Sequence, residues 1–70
     1  MRYELYFGNF DYANDCDEIE DRPHFMTSTL ELAKKVVQLW RQGKFDNEIG
    51  KRYGMLLIFD IETGEFVEED

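Results

Sequence analysis

Carboxylates crowd one short stretch of this chain. Asp15, Asp17, Glu18, Glu20 and Asp21 fall within seven residues, and Asp11 shortly precedes them. Three kinds of chemistry suit such a set. Carboxylate oxygens can gather a divalent cation. Cys16 lies inside the stretch and His24 just beyond it, and these are the residue types of a thiol nucleophile and its base. Carboxylates on a rigid surface can also imitate the phosphates of a nucleic acid and so occupy the basic channel that binds one.

Each reading meets a limit in the residues themselves. The run from Asp15 to Asp21 lacks the glycine and the distal glutamate of a calcium loop, so a solvated acidic loop is the simpler expectation. One histidine and one cysteine cannot close a tetrahedral zinc site. Reactive cysteines sit in cationic surroundings, whereas Cys16 sits among acids. The chain holds no nucleophile-elbow serine, phosphate-binding glycine loop or dinucleotide fingerprint. Its 70 residues leave little room for a pocket of ligand size. The expectation is a protein that is not an enzyme and carries no cofactor or metal, with divalent-ion binding through the acidic loop as a third alternative.

The charge is sorted into blocks. Residues 1–25 carry seven acids against Arg2 and Arg22. Residues 26–54 carry Lys34, Lys35, Arg41, Lys44, Lys51 and Arg52 against three acids. Residues 55–70 carry six acids and no base, and the whole chain has a net charge of −8. Such a field repels nucleic acid and membranes and steers basic partners. The basic middle block is explained by a helix C-terminus and by pairing with its acidic flanks. In size and charge the chain is similar to small acidic inhibitors carried by phages, anti-CRISPR proteins among them. That likeness covers no motif. It implies a nucleic-acid-binding protein as target, with Asp11, Asp15, Asp17, Glu18, Glu20 and Asp21 as the contact residues.

The elements that must position these residues follow from periodicity. Tyr3, Leu5 and Phe7 alternate with Arg2, Glu4 and Tyr6, the pattern of a half-buried strand that Gly8-Asn9 ends or kinks and Phe10 and Tyr12 prolong. Residues 11–22 read as an acidic loop. Arg22 precedes Pro23 and is disfavoured in helix, so residues 23–26 form an optional second strand. Ser28 and Glu31 have capping-box spacing, and apolar residues then recur at helical intervals over 29–42. Leu30, Ala33, Val36, Val37 and Trp40 face inward, and Gly43 stands where a left-handed cap belongs. Residues 44–52 form a polar connection, 53–61 a buried strand, Glu62-Thr63-Gly64 a turn and 65–68 a returning strand. Residues 68–70 are an acidic tail. The sum is a single α+β domain, a two-layer sandwich of one amphipathic helix on a small three- to four-stranded sheet, in the order β-(β)-α-β-β.

This arrangement leaves one face in question. Met55, Leu57 and Phe59 alternate with Leu56 and Ile58, so the central strand is apolar on both sides, and one helix covers only one of them. Loop aromatics or a second subunit must cover the other. The expected function is therefore a small acidic protein-binding module with Tyr6, Phe10, Tyr12 and Phe59 as interface anchors. Its expected partner is another protein of basic character, and the chain is also expected to associate with itself as a homodimer. The single cysteine forms no disulfide within the chain, which suits the cytoplasm. The longest apolar run, Met55 to Phe59, is far too short to cross a bilayer.

Overall fold

The computed structural model describes residues 1–44 and 53–67. Five strands and one helix follow in the order β1 (Tyr3–Asp11), β2 (Cys16–Ile19), β3 (Phe25–Thr27), α1 (Leu30–Arg41), β4 (Met55–Asp60) and β5 (Glu65–Phe66). The sheet is antiparallel, with β1 and β4 at its centre and the order β2-β1-β4-β5; β3 also pairs with β1. This is the α+β sandwich that the sequence pattern predicts. The polar connection falls on residues 44–52 and the acidic tail on 68–70; beyond Lys44 both lie outside the described residues.

Alternation decides which face each strand residue joins. Tyr3, Leu5 and Phe7 of β1 and Leu56 and Ile58 of β4 are buried beneath α1, against Ala33 and Val37. Leu30, Val36 and Trp40 pack on the same cluster at its margin. Tyr53 stacks on Phe7 with ring centroids 5.1 Å apart, and His24 meets Phe7 edge-on at 4.9 Å.

The helix ends where its polar punctuation stands. Thr29, rather than Ser28, is the N-cap: its hydroxyl accepts from the Leu32 N–H at 3.2 Å. Thr29 adopts the extended backbone that a cap needs, and the Thr27 hydroxyl donates to its carbonyl at 2.9 Å. At the other end Gly43 has φ +71°. The Gly43 N–H donates to Trp40 O and the Lys44 N–H to Leu39 O, each at 3.0 Å, which forms a Schellman motif.

One departure from the sequence pattern concerns the acidic stretch. β1 runs through Gly8 and Asn9 to Asp11, prolonged past Phe10 as the sequence allows. Cys16–Ile19, however, is a strand within what reads as a loop, pairing with Gly8–Asp11. The hairpin closes because the Asp11 carboxylate accepts from the Ala13 and Asn14 N–H groups at 3.0 and 3.4 Å, and from the Asn14 side chain at 2.7 Å. Gly8 makes the pairing close: a Cβ there would stand 2.7 Å from Glu18 O.

β2 and β3 are two lengths of one sheet edge. From Leu5 to Gly8 is three steps along β1, but the opposing partners run from Phe25 back to Ile19, which is six. The Glu20 N–H still donates to Phe7 O and the His24 N–H to Leu5 O, both at 2.9 Å. Residues 21–23 therefore arch out between them, and Pro23, which has no N–H to give, sits in that arch.

Candidate functional site

The face of the sheet away from α1 is built row by row from the strand register. Met26, Glu4, Phe59 and Phe66 lie side by side across β3, β1, β4 and β5. Tyr6 and Leu57 form the next row, Ile19, Gly8 and Met55 the third, and Asp17 and Phe10 the fourth. Tyr6, Leu57, Phe59 and Met55 are each partly exposed. Phe66 is 43% exposed and Met26 50%.

Aromatic contacts tie this face together. Tyr6 meets Phe59 and Phe66 edge-on, each at 6.2 Å between centroids, and Phe59 meets Phe66 at 5.1 Å. These edge-to-face geometries suit the ring quadrupoles. Phe10 and Tyr12 form a separate pair at 4.9 Å. The expected anchors thus fall in two groups, Tyr6 with Phe59 and Phe10 with Tyr12. The aromatic that the sequence reading left out is Phe66, which the hairpin register places opposite Phe59. Tyr12 is 87% exposed and does not fold over the sheet. A depression of about 620 Å³ is lined in part by Asp17, Ile19, Met55, Leu57 and Phe66, and also by Trp40 and Arg41 of α1.

One polar contact is embedded in this face. The Tyr6 hydroxyl donates to Glu4 Oε1 at 3.1 Å. Desolvation, and then the adjoining carboxylate, push the Tyr6 phenol above its ordinary value.

The six carboxylates of the acidic stretch do not form one row. Asp17 lies opposite Phe10 and so joins the open face, whereas Glu18 lies opposite Asn9 and joins the helix side. Glu20 accepts a hydrogen bond from the Tyr53 hydroxyl. Glu18, Glu20 and Asp21 line a depression of about 230 Å³ with Asn9 and Tyr53. Asp11 is occupied by its turn; the Asn14 side chain, then the Ala13 and Asn14 amides, hold its carboxyl below the ordinary range. Asp15 occupies the turn itself, with φ 54°.

The remaining chemistry is dispersed. Cys16 pairs with Asp11, and His24 reaches the sheet at Leu5, a separation of about 20 Å along β1. Cys16 is exposed. Among the described residues no group of three or more His, Cys, Asp or Glu side chains is placed to hold a metal ion. No helix among them is long and apolar enough to cross a membrane.

Fold and face together define a one-helix α+β sandwich with an aromatic sheet face on the side away from its helix. No protein-family model matches the chain, and neither a curated protein nor a solved structure matches it.

Proposed function

We propose that this protein is a small, acidic, non-enzymatic protein-binding module that works through the sheet face opposite α1. The observation that carries the reading is the cluster of Tyr6, Phe59 and Phe66 beside Leu57, partly exposed on the face of the sheet away from the buried core. Contiguous apolar surface of this kind marks interaction sites, and aromatic anchors dominate their energetics. The exposed, unpaired Cys16 fits a reducing, cytoplasmic setting.

Magnitudes suggest the kind of binding. Apolar surface buried at roughly 25 cal/mol per Å² contributes about 2.5 kcal/mol for each 100 Å² removed from water. Association itself costs about 4–15 kcal/mol. Apolar burial alone therefore supports a weak complex, and polar complementarity must supply the remainder. A second copy of the chain and a basic partner both satisfy this reading.

Panning a random peptide library against the immobilised chain tests it. Selected peptides should lose the chain when Leu57 and Phe59 are both changed to serine, with the helical circular dichroism signal retained. Peptides indifferent to that change, or a library that yields no binder, would overturn the reading.

A further inference from the structure

We infer that the occupant of the open face is a basic amphipathic helix from a partner protein, rather than a second copy of this chain; the inference rests on the reading of that face as a binding surface. Three observations point there. The first is charge. The five strands carry Glu4, Asp11, Asp17, Glu18, Asp60 and Glu65 and not one lysine or arginine; the cation beside them is Arg41 of α1, which lines the same depression as Asp17. Two of these acids, Glu4 and Asp17, belong to the open face.

The second observation is where those two acids stand. Glu4 lies in the first row and Asp17 in the fourth, with Tyr6, Leu57, Met55 and Ile19 between them. The separation along β1 from Glu4 to Phe10, the residue opposite Asp17, is about 20 Å. The face is thus an apolar strip with a carboxylate at each end. A helix lying along it would meet both carboxylates with basic side chains about 14 residues apart, close to four full turns, so that both fall on the face turned to the sheet. The apolar stripe between those positions would cover the aromatic rows. Glu4 has acceptor capacity beyond the Tyr6 hydroxyl, since each carboxylate oxygen carries two lone pairs.

The third observation is the molecule's own precedent. α1 covers the other face with 12 residues, about 18 Å of helix, on strands of similar length. A second helix on the open face would complete a three-layer arrangement with the same packing. A second copy would instead bring Glu4 and Asp17 against the same two acids, on strands that hold no lysine or arginine, joining two chains that each carry −8. Like-charge juxtaposition of this kind suppresses association.

A synthetic helix of about 18 residues, with a leucine stripe and two lysines about 14 residues apart on the same side as the stripe, is the direct probe. A matched peptide replaces both lysines with glutamate. Binding is followed by amide chemical shifts of the labelled chain, with sedimentation of the chain alone beside it. The lysine peptide should shift Tyr6, Leu57, Phe59 and Phe66, and should bind at least about tenfold more tightly than the glutamate peptide. Changing Glu4 to Gln and Asp17 to Asn together should remove most of that preference. Equal binding of the two peptides overturns the choice of a basic helix and leaves the binding face standing. So does a chain that dimerises through this face while ignoring both peptides. A monomeric chain in which neither peptide shifts these residues overturns both the inference and the reading beneath it.

Discussion

Arg2 grips Asp60 at two points, Nε to Oδ1 at 3.1 Å and Nη2 to Oδ2 at 3.0 Å, and so ties the start of β1 to the end of β4 across 58 residues of sequence. The Ile61 N–H donates to Arg2 O at 3.0 Å, and Arg2 also reaches Glu62 at 2.7 Å. Asp60 is 7% exposed, so its carboxylate is held where few waters reach it.

A pH dependence follows with a definite sign. The Arg2 guanidinium, and then the Glu62 N–H, hold the Asp60 carboxyl below its ordinary value of 3.8 against the opposing effect of desolvation. A carboxyl depressed in the folded state stabilises it fully above the ordinary value, and that contribution disappears as pH falls through the lower folded value. Asp11 has the same sign. The thermal midpoint should therefore drop as pH is lowered from about 4 toward 2. In Asp60→Asn the midpoint should be lower by several degrees at pH 7, and the acid-induced drop should be shallower. A variant that keeps the full acid slope would show that Arg2 and Asp60 do not couple the strand ends.

Gly8 makes a second prediction, about the edge that the acidic stretch builds. A methyl group at Gly8 would meet a backbone oxygen, Glu18 O, at 2.7 Å, and the strands would have to part. At Gly54 the nearest atom is the Asn9 side-chain oxygen at 3.4 Å, an ordinary contact. Gly8→Ala should cost about 1–3 kcal/mol in urea unfolding. Gly54→Ala should stay within about 0.5 kcal/mol. Equal effects would mean that β2 does not hold its register against Gly8.

The helix N-terminus distinguishes two adjacent hydroxyls. Thr29→Ala removes the acceptor for the Leu32 N–H and should cost about 1 kcal/mol. Ser28→Ala should change stability by less than about 0.5 kcal/mol. The reverse ranking, measured by chemical denaturation, would return the cap to Ser28.

These cases show what a linear reading can and cannot reach. The helix was legible because one apolar stripe repeats at helical intervals from Leu30 to Trp40. β1 and β4 were legible because burial alternates along them, in Tyr3, Leu5 and Phe7 and in Leu56 and Ile58. β2 was not, since Cys16, Asp17 and Glu18 are all exposed and its pairing is made by backbone groups that every sequence carries. Ser28 and Thr29 offer the same hydroxyl one residue apart, and only backbone geometry decides between them. The open face was half legible. The continuous run from Met55 to Phe59 announced an apolar second side, but the membership of Phe66 and Asp17 depends on ladder register, which no spacing along the chain supplies.

The two sides of the sheet should respond differently to the loss of an aromatic ring. Phe7 is 1% exposed and touches His24, Phe25, Trp40 and Tyr53, so Phe7→Ala should leave a cavity and cost about 3–5 kcal/mol. Phe66 is 43% exposed and meets Tyr6 and Phe59 in edge-to-face contacts. Phe66→Ser should cost no more than about 1–2 kcal/mol, the value of such edge contacts and partial burial. It should also reduce binding of an apolar dye, because it removes exposed apolar surface without exposing the core. If Phe66→Ser were as damaging as Phe7→Ala, the face opposite α1 would be a second core of the monomer, and its aromatics would be spent on folding rather than held for a partner.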